Sequence, residues 1–232
     1  MLLATFYWAA SHISYFRKQA HESEKRRLLA QNEKLEAEAK LAESRNAYLT
    51  QQLNPHLLFN SLNFIYNSVY QQSPEASRCI LLLSDILRFS LEDTGADGKV
   101  LLEDEIEQVK NLIAINRYRF NGVLSLETKF DLAAGPDRII PLILLTLTEN
   151  LFKHGNLKNP EQPAFLQIET SETRKLRYYS RNLKKSKSGH VRNRGIGLQN
   201  TRKRLDFAYP GKYELNVSED GECYELWLNL QL

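Results

Sequence analysis

The chain has 232 residues, of which 42% are hydrophobic and 25% charged, a composition that excludes a disordered tail and suffices for one or two domains with a real core. Its two cysteines, Cys79 and Cys223, lie far apart in apolar contexts, so neither a disulfide framework nor a metal site is indicated, and a reducing compartment fits. The formal charge is only +3, but twelve Lys or Arg and no Asp or Glu fall between Arg174 and Arg204, which places a basic segment on an otherwise acidic body and points to a polyanion there.

The segment 1–16 carries "LLATFYWAASHISYF" at 2–16, apolar and aromatic but broken by Ser11, His12 and Ser14. The stretch is shorter than the roughly 18 to 20 apolar residues of a membrane span, and Arg17 and Lys18 follow as positive charges do on a cytoplasmic side. It reads as the inner end of a membrane helix or an interfacial anchor, with a packed amphipathic helix as the simpler reading. Residues 17–52 contain no Gly or Pro and are rich in strong helix formers. Leu28, Leu35, Ala42 and Leu49 recur every seven residues, one seam of a coiled coil with a poor companion seam. A parallel paired helix is expected, weak enough to adjust.

Residues 53–98 hold two helical runs. The first carries "LNPHLLFNSLN" at 53–63. Proline lacks an N–H and loosens a helix that it interrupts, so Pro55 is expected to loosen the backbone beside His56. Asn60 lies four residues on, on the same helix face. A neutral imidazole keeps a ring-nitrogen lone pair that can attack a phosphoryl group, and Asn60 could orient the ring or a phosphate oxygen. Ser73 is placed to cap the second run, with Pro74 at its first position. Two antiparallel helices form half of a four-helix bundle, so a homodimer is expected.

From residue 99 onward the pattern is α+β. A helix is expected over 102–120 and a strand over 123–130. The run "IIPLILLTLTENLFKHG" (139–155) reads as one buried helix, and "AFLQIET" and "KLRYYSR" as paired strands. A Lys/Arg/Ser-rich loop follows, then an Arg-rich helix to about Ala208 and a hairpin around Asp220 and Gly221. Within "TENLFKHG", Glu149 and Asn150 offer hard oxygen ligands suited to Mg²⁺. Lys153 and His154 come one turn later, and Lys153 can meet a phosphate as a point charge. In "RGIGLQNTRKRL", Gly195 and Gly197 precede a helix whose amides can cradle phosphates.

In this order and spacing, "LNPHLLFNSLN", "PLILLTLTENLFKHG" and "GIGLQNTRKRL" resemble the LytS-like sensor histidine kinases over about residues 45–232. The resemblance implies an α+β architecture: a long N-terminal helix and a helical-hairpin dimerisation bundle (53–98), then an α/β-sandwich Bergerat-fold ATP-binding domain (99–232). It implies that His56 is the phosphorylated residue, with Asn60 beside it. Glu149, Asn150, Lys153, His154 and Gly155 would form the N-box around Mg²⁺–ATP, and Gly195, Gly197 and Asn200 the glycine box. Arg88 and "NRYRF" (116–120) also follow the family's pattern. An aspartate that reads adenine in related ATPases has no counterpart; Asn182 stands nearest, after the strand "KLRYYSR", and Leu58 replaces a usual Phe.

The expected function is ATP-dependent autophosphorylation on His56 and transfer to a response-regulator aspartate, by a dimer tethered at the cytoplasmic face of the plasma membrane. The rival readings are a signalling scaffold that has lost ATP binding with the missing aspartate, and a nucleic-acid binder using the basic run with Tyr178 and Tyr179 as stacking groups. Phosphate cradling accounts for the charge more economically, so no nucleic-acid partner is expected.

Overall fold

The computed structural model describes residues 19, 24–25, 27–31, 34, 37, 54–92, 94–95, 97–185 and 196–232. The apolar segment 1–16 and the seam positions Leu35, Ala42 and Leu49 lie outside them. Leu28 is described, helical and exposed. The chain divides into two units between Leu58 and Phe59. Among the described residues, no helix is long and apolar enough to cross a membrane.

Helix α1 spans Pro55–Val69. Asn54 stands outside it and its Oδ1 accepts the Leu57 N–H at 3.2 Å. Pro55 is therefore the first helical residue, where a missing N–H costs nothing. The helical run directly before Asn54 that the proline is expected to interrupt lies outside the described residues. No residue of α1 is buried, and Phe64 and Leu57 are 73% and 62% exposed. Helix α2 (Pro74–Leu91) begins as its sequence requires, with Ser73 Oγ accepting the Ala76 N–H at 3.2 Å. The Arg88 guanidinium lies 5.6 Å from the centre of the Phe59 ring, a cation–π contact between α2 and α1.

Strand β1 (Val100–Leu101) leads into helix α3 (Leu102–Arg119), which packs against α2. Acids fill the first turn of α3 and arginines its last, matching the helix dipole. Its inward stripe is Leu102, Ile106, Val109 and Ile113, and the acid Glu105 is buried among them. Strands β2 (Leu126–Asp131) and β3 (Arg138–Ile139) precede helix α4, Ile143–His154. The single helix expected over 139–155 thus starts four residues late. The residue before a proline avoids helical geometry, so Ile140 stays outside the helix before Pro141, while Ile139 pairs with Val100. Leu142 turns the chain at a φ of 65°.

After β4 (Gly155–Asn156) come β5 (Ala164–Thr170), β6 (Lys175–Lys184), helix α5 (Ile196–Ala208) and the hairpin β7 (Tyr213–Asp220) and β8 (Cys223–Gln231). The sheet runs β2-β5-β6-β8-β7, with β4 pairing the far end of β6. Among the described residues, β2 and β5 pair in parallel and the other pairs of this sheet are antiparallel. Alternation sends Leu166, Ile168, Leu176, Tyr178, Leu226, Leu228 and Leu230 into one core with α3, α4 and Leu205 of α5. The opposite face carries Phe165, Tyr179 and Trp227 in a row, with Tyr179 and Trp227 stacked at 5.6 Å. At the hairpin, Asp220 pairs Cys223 across a two-residue loop in which Gly221 takes a φ of 50°, a position that favours glycine.

Among the described residues, several cations of the basic segment have partners of their own. Arg174 pairs with Asp137, Arg177 with Glu169 and Lys184 with Glu219. Arg204 donates to the Pro141 carbonyl. Lys187, Arg192 and Arg194 lie outside the described residues. Tyr178, weighed as a stacking group, is buried in the core, and burial pushes its hydroxyl up to about 12.

Candidate functional site

His56 is the second residue of α1 and Asn60 lies one turn on; both are exposed. Their place in the first turns follows from Asn54 and Pro55, which fix where the helix begins.

The other candidates gather around the C-terminal half of α4. Its stripe Ile143, Leu144, Leu147, Leu151 and Phe152 is buried, which turns Glu149 and Lys153 outward to solvent and leaves Asn150 and His154 half-buried. Gly197, in the first turn of α5, approaches Asn150: a β-carbon built on Gly197 would lie 3.8 Å from Asn150 Oδ1 and 4.0 Å from the Thr146 methyl. The fold thereby joins two motifs 47 positions apart in the chain. Asn200 is exposed on the same helix, three residues beyond Gly197. Gly195 lies outside the described residues.

A second contact joins the end of α4 to β6. A β-carbon on Gly155 would meet the Leu151 carbonyl oxygen at 2.5 Å and Asn182 Cγ at 3.1 Å. Asn182 is not after the strand, as its sequence position suggested, but within β6, paired with Tyr224 of β8. It is 3% exposed and donates from Nδ2 to the Leu183 carbonyl at 2.8 Å. The register of β6 with the long β8 and with β4 carries the strand past Arg181 to Lys184.

Residues outside the sequence candidates also shape this end of the molecule. Lys185 donates from Nζ to the carbonyls of Phe152 (3.1 Å) and Lys153 (2.9 Å), and its backbone N–H reaches the His154 carbonyl at 3.1 Å. It thus satisfies the open C-terminal carbonyls of α4. Burial pulls its ammonium below the ordinary lysine range, and the charge of Arg119 adds to that shift. Thr148 Oγ1 and Tyr178 Oη lie 3.5 Å apart, linking α4 to β6. At the other end of α4, Glu105 accepts the amides of Leu142 and Leu145. An acid on the apolar stripe of a helix was the signal for Glu105; Lys185 was hidden among other cations.

Glu149 and Asn150, consecutive in α4, carry a carboxylate and a carboxamide, and hard oxygens of that kind fit Mg²⁺, which takes few protein ligands and keeps waters and phosphate oxygens. Among the described residues, no three His, Cys, Asp or Glu side chains group as a metal cluster.

Residues 44–124 match the family model described as histidine kinase. The sensor histidine kinase BtsS of Escherichia coli (strain K12) is 32% identical over 117 residues, covering 50% of this chain and 20% of that protein. The sensor protein LytS of Staphylococcus haemolyticus (strain JCSC1435) is 31% identical over 107 residues, covering 46% and 18% respectively. The match thus spans about a fifth of the length of these relatives. Among solved structures, the histidine kinase domain from the Erythrobacter litoralis EL346 blue-light activated histidine kinase is 15% identical with a TM-score of 0.42, covering 77% of this chain and 85% of that one. Residues 44–124 are thus similar to histidine kinases, and the relatives that match part of the chain are sensor histidine kinases and LytS sensor proteins.

Proposed function

We propose that the chain is the kinase portion of a two-component sensor, in which His56 takes the γ-phosphoryl group of Mg²⁺–ATP and passes it to an aspartate of a response regulator. The observation that carries this reading is the meeting of Asn150 and Gly197, which brings the candidate metal and polyphosphate residues into one place. Residues 99–232 would hold the nucleotide. Glu149 and Asn150 would hold Mg²⁺, which neutralises charge on the phosphates when bound. Lys153 and Asn200 are exposed where they can meet phosphate oxygens, His154 and Gly195 would complete the two boxes, and Asn182 would face the base.

Transfer of this kind depends on positioning and charge neutralisation more than on covalent chemistry by the protein. A ring nitrogen of His56 forms a bond to phosphorus, the bond to the β–γ bridging oxygen breaks, and ADP leaves. Leu57 follows His56, so the next residue in sequence supplies no carboxylate base. Residues 53–98 would be the dimerisation and phosphotransfer part. The exposed Leu57, Phe64 and Ile65 of α1 and Leu81 and Leu83 of α2 support pairing with a second copy. Residues 17–52 would relay a signal from a membrane-proximal segment, 1–16, at the cytoplasmic face.

One observation favours the scaffold reading as the second choice. Asn182, the residue nearest to the place of the aspartate that reads adenine in related ATPases, is an uncharged amide and only 3% exposed, so it offers the adenine amino group no carboxylate. The deciding experiment is transfer of labelled γ-phosphate from Mg²⁺–ATP to the purified chain beside His56→Gln. Acid-labile label on the parent and none on the variant upholds the kinase. An unlabelled parent that also fails to bind nucleotide establishes the scaffold instead.

A further inference from the structure

A single peptide bond, Pro141–Leu142, is held at both of its polar atoms. Arg204 Nη2, from α5, donates to the Pro141 carbonyl at 2.7 Å. Glu105 Oε2, from α3, accepts the Leu142 N–H at 2.7 Å, and its Oε1 accepts the Leu145 N–H at 3.1 Å. Helix α4 has no side-chain cap on Leu142, which sits at a φ of 65°. The carboxylate of another helix therefore fills the role of cap. Glu105 is 0% exposed, and a buried carboxylate is tolerated only when its oxygens are satisfied. Here the amides of the first turn of α4 and the positive end of that helix satisfy them. Burial still drives the Glu105 carboxyl upward, against the pull of those amides and of the Arg204 charge.

The consequence lies one helix length away. Helix α4 carries Glu149, Asn150 and Lys153, α5 carries Gly197 and Asn200, and the two meet where Gly197 lies against Asn150. Three helices thus share one anchor, with α3 and α5 gripping the entry of α4. We propose that Glu105 is a positioning residue which, with Arg204, locks the start of α4 to α5 and so sets the spacing of Asn150 and Gly197. The lock stands on the geometry alone; its effect on nucleotide binding rests on the kinase reading.

The test compares the full chain with Glu105→Gln and Arg204→Gln by amide hydrogen exchange, and in parallel by the KM for Mg²⁺–ATP and the rate of labelling. Removing a hydrogen bond to a charged group speeds exchange about tenfold or more. With Glu105→Gln, the Leu142 and Leu145 amides and those of α5 accelerate together while β5, β6 and β8 keep parent protection. With Arg204→Gln, α5 accelerates but Leu145 does not, because Glu105 still accepts its amide. Both variants raise the KM severalfold with a smaller change in maximal rate. The lock is overturned if α5 keeps parent protection in both variants, or if every element accelerates alike. An unchanged KM with a loosened α5 overturns the positioning role. Should Glu105→Gln fail to fold, Arg204→Gln decides. A parent that binds no Mg²⁺–ATP sinks the kinase reading, and the exchange pattern then upholds or overturns the lock by itself.

Discussion

Gly155 and Asn182 pack backbone against side chain, so closely that a methyl group on the glycine would sit 3.1 Å from Asn182 Cγ and 2.5 Å from the Leu151 carbonyl oxygen. The glycine is required by space and not by its backbone angles, for its φ is an ordinary −79°. The carbonyl belongs to the last turn of α4 and cannot swing aside as a side chain can. Gly155→Ala is expected to cost about 1–3 kcal/mol and to shift β4 away from β6. Urea denaturation reads the first effect. A variant as stable as the parent would show that the end of α4 relaxes freely and that this contact sets nothing.

Tyr178 gives a pH signature for the packing of α4 on the sheet. Burial raises its hydroxyl from 10.0 to about 12. The folded state therefore holds the phenolic proton where the unfolded chain has lost it. The contribution is fully present below pH 10 and is lost as pH rises through the folded value. Two pH units correspond to roughly 3 kcal/mol. Tyr178→Phe should cost about 1 kcal/mol or less at neutral pH, because its Thr148 partner is 3.5 Å away. Between pH 10 and 12 the parent should lose stability faster than the variant. Parallel curves across that window would refute a buried, neutral hydroxyl.

How much of this was legible before folding differs from residue to residue. Ser73 and Pro74 announce α2 because a cap and a first-turn proline act locally. Asp220 and Gly221 announce the hairpin for the same reason. The apolar run 139–155 hid its own break, since hydrophobic content cannot separate a buried two-residue strand from a buried helix; Pro141 was the available signal. The length of β6 was illegible, because a partner strand distant in sequence, with Tyr224 against Asn182 and Cys223 against Leu183, extends it. Within the site, residue types could nominate Glu149, Asn150 and Gly197, but only tertiary structure sets Asn150 against Gly197.

The cap at Asn54 ties the start of α1 to the presentation of His56. Asn54 Oδ1 takes the Leu57 N–H, one residue beyond the imidazole. Asn54→Ala is expected to cost about 1 kcal/mol and to fray the turn that carries His56. Labelling of His56 should fall severalfold while nucleotide affinity stays at the parent value, since the residues proposed to hold nucleotide belong to 99–232 and not to α1. Asn54→Asp keeps an acceptor and should retain both. Amide exchange at Leu57 is the direct check: unchanged protection in Asn54→Ala would show that the cap does not hold the turn.

Lys185 makes the last prediction, and it separates a fastening role from a charge role. Its ammonium bonds the Phe152 and Lys153 carbonyls, at the helix end where a cation is favoured by about 0.3–1 kcal/mol. Those carbonyls belong to the turn that presents Lys153, so the bond fixes the direction of the residue proposed to meet phosphate. Lys185→Met keeps the aliphatic stem and removes the donor. Stability should fall by no more than about 1 kcal/mol, while the KM for Mg²⁺–ATP rises and the maximal labelling rate changes little. Lys185→Arg keeps the charge but replaces one compact group with a planar fork, and should recover stability better than affinity. If Lys185→Met loses stability and the KM stays put, the lysine only seals the helix end. If the KM rises equally in Lys185→Arg and Lys185→Met, the geometry of the two carbonyl bonds, and not the charge, is what α4 requires.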